Sequence, residues 1–185
     1  MITAPVAEKL LTGYDLMEME DLGPCELVEG VLVPMSPTQG EHGILEALLT
    51  ASLHEFTKKR RSGWLLGGEV GLYTHRSPDT LRAVDVAFIS RERQPTRPKA
   101  FLEVPPELVV EIVSPSDRWS DLRQKIREYF VAGVDRVWVV DPEAREVLVF
   151  RSPTELAQLG PADTLRGEGV LAGFELPVAD LFASD

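Results

Sequence analysis

Cysteine is almost missing from this chain of 185 residues. Cys25 alone excludes an internal disulfide framework and any cysteine-based zinc cluster, and it sets the expectation of a reducing, cytoplasmic compartment. No apolar run approaches the ~20 residues that a spanning helix needs. The first twenty residues lack a basic start and an unbroken apolar stretch, so no signal peptide is read there. Positive charge is in deficit: 19 Lys and Arg stand against 30 Asp and Glu, a formal net charge of -11. That balance excludes a protein that coats nucleic acid non-specifically, though not an enzyme that touches it through a local patch. Histidine is scarce, with His42, His54 and His75 scattered and no H-E-x-x-H among them. His42 reads as a surface residue or a neighbour of a site rather than a ligand. Gly67, Gly68 and Gly71 make no dinucleotide fingerprint, because strand signals follow them. Nucleophile-elbow and Walker A patterns are lacking as well.

What is present is a globular composition, 44% hydrophobic and 26% charged. The length fits one domain over residues 1–185, able to bury roughly 70% of its unfolded surface. Pro5 to Glu20 reads as one or two short helices, and Glu26 to Met35 as a strand or bent hairpin around Gly30. Thr38 and Glu41 have capping-box spacing. The helix they would start carries Ile44, Leu45, Leu48, Leu49, Leu53 and Phe56 at helical intervals and ends in four basic residues before Gly63. Strand-like segments follow at Trp64–Leu66, Glu69–Thr74 and Leu81–Ser90.

Arg91 to Pro106 is polar and proline-rich, a loop and a candidate for motion. Glu107–Ser114 is a short apolar run. Ser116 or Asp117 can cap a helix that ends at Gly133, with Trp119, Leu122, Ile126, Tyr129 and Phe130 on one face. Arg136–Asp141 and Glu146–Phe150 are further strands, and Trp64, Trp119 and Trp138 are core candidates. The order predicts an α/β domain with a mixed central β-sheet flanked by α-helices. Its strand–helix–strand crossover runs from Glu107–Ser114 to Arg136–Asp141.

Two acids stand out. Glu111 interrupts Leu108-Val109-Val110-Glu111-Ile112-Val113, and Asp85 interrupts Ala83-Val84-Asp85-Val86-Ala87-Phe88-Ile89. A buried carboxylate needs a cation, a metal or a proton. Two of them on neighbouring strands repel unless one is protonated or a divalent ion bridges them, and oxygen ligands favour Mg2+ or Mn2+. A solvated face, a buried salt bridge and acids that never meet are the alternatives. Arg91, Arg93, Arg97 and Lys99 in the loop, and Arg118, Arg123 and Arg127 on the second long helix, could meet phosphates or merely be solvated.

The stretches ELVEGVLVPMSP, AVDVAFISRER and PELVVEIVSPSDRWSDLRQKIREYFVAGVDRVWVVDPEAREVLVF carry a resemblance. The chain is similar, over about residues 12 to 183, to the Uma2-like family of restriction endonuclease-like proteins within the PD-(D/E)XK nuclease superfamily. That resemblance implies a Mg2+- or Mn2+-dependent endonuclease hydrolysing phosphodiester bonds of DNA, with two sites paired in a homodimer. It implies metal binding by Asp85 and Glu111 with the Ile112 backbone carbonyl, and catalysis by Asp85, Glu111 and Lys125. The chain departs from the superfamily pattern at Val84, where a proline is usual, and at Val113, where the lysine is usual. The resemblance suggests that the lysine has moved to Lys125. Geometry permits this, because roughly 12 Å of helix runs back beside roughly 10 Å of strand. An exposed pair of Lys125 with Asp121 is the alternative. Of Glu26 and Glu29, whose spacing sends them to opposite faces, Glu29 is favoured as the extra metal-site acid. A catalytically inactive interaction or regulatory domain on the same fold is the rival function. A metal hydrolase of another phosphate ester would share the site.

Overall fold

The computed structural model describes residues 9–20 and 22–183; the part of the N-terminal helical expectation on residues 5–8 lies outside them. A short helix, α1 (Gly13–Glu18), starts at Thr12, whose side chain and that of Asp15 form a capping box. The hairpin β1 (Cys25–Val28) and β2 (Val31–Pro34) turns on Glu29 and Gly30, both at positive φ, as a tight hairpin turn requires. Helix α2 (Gly40–Arg60) leads into the long hairpin β3 (Gly63–His75) and β4 (Thr80–Ser90). Then come β5 (Leu108–Ile112), α3 (Trp119–Ala132), β6 (Arg136–Asp141), β7 (Glu146–Phe150) and β8 (Leu156–Leu159). A small hairpin, β9 (Thr164–Arg166) with β10 (Glu175–Pro177), and a last turn, α4 (Val178–Leu181), close the described chain.

The sheet runs β2-β1-β4-β5-β6-β7-β8, with β3 also paired to β4. Among the paired strands of the described residues only β5 and β6 are parallel, joined by the α3 crossover. Alternation splits each central strand between two cores. Leu108, Val110, Ile112, Trp138 and Val140 pack with Leu45, Leu49 and Leu53 of α2 and with the C-terminal hairpin. Val109, Val137 and Val139 pack with Leu122, Ile126 and Tyr129 of α3. Strands covered on both faces read as continuous apolar runs, which is why β4 and β5 look so greasy in sequence.

One feature of the topology makes the cleft. On the edge away from β3, β4 pairs with β1 at Leu81 and with β5 at Val86–Phe88. Between them the sheet forks, and Asp85 stands at the fork. On its other edge the β3 register slips between Gly67 and Val70, a bulge opposite Asp85. Val84 consequently joins the α3-side core and Val86 the α2-side core.

Several local expectations need correction. Thr38 does not cap α2; the cap residue is Gln39, without a side-chain hydrogen bond, and the Thr38 hydroxyl donates to Glu69 Oε1 at 2.9 Å. Ile44 and Leu48 are exposed, because α2 buries only the narrow stripe of Leu45, Leu49, Leu53 and Thr57. The two strand segments before His75 are one bulged strand. Arg118 is the α3 cap residue, while Asp117 accepts the Ser114 amide at 2.8 Å. Trp119 is exposed at the first position of α3, whereas Trp138 is core. The Arg91–Pro106 loop is pinned: Leu102 exchanges backbone hydrogen bonds with Gly71 and Tyr73, at 2.8 and 3.0 Å, and Arg93 pairs with Asp135 at 2.7 Å.

Candidate active site

A cleft of about 490 Å³ opens at the fork, lined by Glu26, His42, Arg82, Asp85, Glu111, Ile112 and Lys125 among others. Its floor follows from strand geometry. Where β1 and β5 part from β4, backbone amides lose their ladder partners and need other acceptors. Carboxylates supply them. Asp85 Oδ2 accepts the Ile112 amide at 2.6 Å, and Glu26 Oε1 accepts the Ala83 amide at 3.2 Å.

One step beyond the paired residues Val86 and Val110, the antiparallel register sets Asp85 opposite Glu111, so both acids face one another across the same pair of strands. Glu111 points to the α3 side, where the Tyr129 hydroxyl donates to its Oε1. Lys125, one helical turn before Tyr129, reaches the same place. Its Nζ lies 2.8 Å from Glu26 Oε1 and 3.8 Å from Glu111 Oε2. Asp85, Glu111 and Lys125 therefore share one cleft, and Lys125 faces inward rather than pairing with Asp121.

Glu29 is elsewhere. It sits in the β1–β2 turn at φ 50°, donates its amide to Thr80 Oγ1 at 3.0 Å, and lines a separate cavity with His75 and Arg127. The turn falls on Glu29 and Gly30, so the acid that enters the cleft is Glu26. Spacing alone does not reveal this; the Glu-Gly pair, a two-residue hairpin signal, could have.

Two more residues belong here without having been singled out as site members. Arg82 lies buried between Glu26, at 2.7 Å, and Glu128, which it grips through two nitrogens at 2.6 and 2.8 Å. His42 Nε2 sits 3.2 Å from Asp85 Oδ2. It reaches there because the start of α2 crosses the β3 bulge, where Glu46 Oε1 accepts the freed Gly68 amide at 2.7 Å.

The charges tune one another. Burial pushes the Glu111 carboxyl up to about 7; the Lys125 ammonium opposes this and Asp85 adds to it. Burial would depress Lys125, yet the Glu111 and Glu26 carboxylates outweigh it and hold the ammonium well above its ordinary value. Arg82 is held up in the same way, against burial, by Glu128 and Glu26. Burial would lower His42, but the hydrogen bond and charge of Asp85, with Glu46 and Asp117, raise it. Six carboxyl side chains line the cleft, Glu26, Glu69, Asp85, Glu111, Asp117 and Asp121, against the two fixed cations Lys125 and Arg82. Acidic groups therefore outnumber the cations at the floor.

The residues present fit a divalent ion of the hard, oxygen-liganded kind. Asp85 Oδ1 accepts no hydrogen bond among the described residues, and neither Asp85 nor Glu111 is neutralised by an arginine there. Ile112 aims its amide at Asp85; a strand residue's carbonyl leaves on the same side as its amide. Among the described residues no three His, Cys, Asp or Glu side chains form a ready cage. Mg2+ does not require one, since it binds through one or two carboxylates and keeps waters or substrate phosphates.

No curated protein matches the chain. Among solved structures, one described as a "putative nuclease belonging to DUF820" from Anabaena variabilis ATCC 29413 shares the fold. It has a TM-score of 0.80 and 20% identity, covering 93% of this chain and 97% of that one. The profile of the Uma2 family, described as "Putative restriction endonuclease", matches residues 11–179. With that match spanning nearly the whole length, the chain belongs to the Uma2 restriction endonuclease-like family.

Proposed function

We propose that this protein is a Mg2+- or Mn2+-dependent endonuclease that hydrolyses phosphodiester bonds of DNA in the cytoplasm. The observation that carries the reading is the cleft floor: Asp85 opposite Glu111, with the Lys125 ammonium 3.8 Å from Glu111 and the whole set short of cationic charge. Asp85 Oδ1, Glu111 Oε2 and the Ile112 carbonyl would hold the cation. A divalent ion there supplies Lewis acidity at the scissile phosphate and a nucleophilic water at neutral pH.

The chain's own groups do the rest. Lys125 is held as an ammonium, so it donates rather than accepts: it orients the attacking water and stabilises charge developing on the phosphoryl oxygens. Glu26 fixes that ammonium beside Glu111. The exposed Arg123 and Arg127 of α3, with Arg118 at its N-cap, are cations available for flanking phosphates. A homodimer would bring a second such site to the opposite strand of a duplex.

The test is cleavage of supercoiled plasmid with Mg2+, with Mn2+ and with chelator. Metal-dependent nicking is expected, falling about 10³-fold in Asp85→Ala and Glu111→Ala. Full activity in those variants overturns the assignment.

A second reading has its own observation. Lys125 is nearer to Glu26, at 2.8 Å, than to Glu111, and Val113 occupies the lysine position of the superfamily pattern. A catalytically inactive domain that retains the fold would show no cleavage, and its Mn2+ binding heat would be unchanged by Asp85→Asn.

A further inference from the structure

We propose that His42 and Tyr129 are positioning residues that each tie down one oxygen of a metal-binding carboxylate. The site then offers its cation a single oxygen from Asp85 and a single oxygen from Glu111. The inference rests on the cation reading above and goes past it, to how the carboxylates are presented and which ion they prefer.

The two carboxylates are treated alike from opposite faces of the sheet. Asp85 Oδ2 receives the Ile112 amide at 2.6 Å and faces His42 Nε2 at 3.2 Å, from the α2 side. Its Oδ1 takes no protein hydrogen bond among the described residues, and Asp85 lines the cleft. Glu111 Oε1 receives the Tyr129 hydroxyl from the α3 side. Its Oε2 faces Lys125 at 3.8 Å, beyond hydrogen-bond length. Each acid thus has one oxygen occupied and one open.

Packing alone does not call for these donors. Tyr129 is fully buried in the α3-side core among Leu122, Ile126, Val109 and Val137. A phenylalanine would fill that space without a polar atom to satisfy, and a buried hydroxyl is costly unless it is bonded. Among the described residues its hydroxyl meets one side chain, Glu111. His42 tells the same story. Its Nδ1 is buried with no partner among the described residues, so Asp85 is the ring's only polar contact.

One-oxygen presentation has a chemical consequence. Mg2+ demands a near-octahedral shell at 2.0–2.1 Å, whereas Ca2+ takes six to eight oxygens and accepts carboxylates bidentately. A carboxylate with one oxygen already bonded to the protein resists the bidentate mode. Freeing the second oxygen should relax the preference toward Ca2+. Donors that orient metal ligands commonly account for 10–100-fold in metal affinity.

The experiment titrates Mn2+ and Ca2+ calorimetrically into wild type, Tyr129→Phe, His42→Ala and His42→Gln, with thermal melts to confirm folding. His42→Gln keeps an N–H donor near the place of Nε2. Wild type should prefer Mn2+. Tyr129→Phe should shift the Mn2+/Ca2+ affinity ratio toward Ca2+ by about 10-fold or more; His42→Ala should shift it less, because the Ile112 amide still holds Asp85 Oδ2, and His42→Gln should recover that part. A merely structural role would change the melting temperature and leave that ratio alone. Wild-type binding with an unchanged ratio in Tyr129→Phe overturns the positioning role of Tyr129, and an unchanged ratio in His42→Ala that of His42, while leaving the cation site standing. No Mn2+ binding by wild type overturns the cation reading itself, and this inference with it.

Discussion

Lys125 and Glu26 meet at 2.8 Å, helix α3 against strand β1, with both side chains largely buried. Glu26 also accepts from Arg82 at 2.7 Å and from the Ala83 amide at 3.2 Å. One carboxylate therefore joins α3, β1 and β4 at the point where the sheet forks. Glu26→Gln takes one of two carboxylate partners from each of two buried cations, leaving Arg82 with Glu128 and Lys125 with Glu111. Breaking a buried pair costs about 3–5 kcal/mol, and urea denaturation should read a loss of that order. Cleavage should fall too, because the ammonium loses its anchor.

Lys125→Ala separates the lysine's role from that of the acids. The ammonium is held well above its ordinary pKa, so its loss removes an electrostatic donor and not a base. Cleavage should drop about 10²–10³-fold. Mn2+ affinity should be kept or increased, since a positive neighbour has gone from the cation's surroundings. Loss of Mn2+ binding in this variant would assign the lysine a different task.

Glu128 gives a pH prediction. Burial pushes its carboxyl up, but the Arg82 hydrogen bonds, helped by Gln124 and the Arg82 charge, hold it below the ordinary value. A depressed acid stabilises the fold above its unfolded pKa, near 4.5 here. That stability disappears as the pH falls from there through the folded value. Glu128→Gln should flatten the acid side of a melting-temperature profile below about pH 4.5 and lower stability at neutral pH. A profile parallel to wild type would show that the pair carries no such linkage.

The C-terminal hairpin is held by aromatic packing. Phe174 stacks on Trp138, with centroids 5.9 Å apart, and meets Phe56 edge-on at 5.5 Å. It thus joins β6 and α2 to the hairpin that covers one sheet face. Phe174→Ala should cost about 3–5 kcal/mol in chemical denaturation, with little change in Mn2+ affinity because the cleft lies elsewhere.

How much of this was legible in the sequence depends on which physics wrote each residue. Asp85 and Glu111 stand out because a charge inside an apolar run has few ways to be stable. The α3 crossover is equally readable, with one apolar face and a glycine stop at Gly133. Glu26 and Glu29 are not separable by spacing, because the turn between β1 and β2 decides which acid enters the cleft. Arg82 is disguised by its strand neighbours, since its partners are 46 and 56 residues away. His42 looks like a surface histidine until the β3 bulge brings α2 down onto Asp85. The Thr38 capping box fails for a related reason: Glu69, at that bulge, takes the threonine hydroxyl. The misses at Arg82, His42 and Thr38 each involve a contact made by tertiary structure, where local pattern has no say, whereas the β1–β2 turn is local.

The most direct test is a crystal soaked in Mn2+ and measured for anomalous scattering. One peak is predicted in the fork between β1 and β5, within coordination distance of both Asp85 Oδ1 and Glu111 Oε2, and absent from Asp85→Ala crystals. A fork without a peak under saturating Mn2+, or an ion bound away from these two carboxylates, would contradict the assignment.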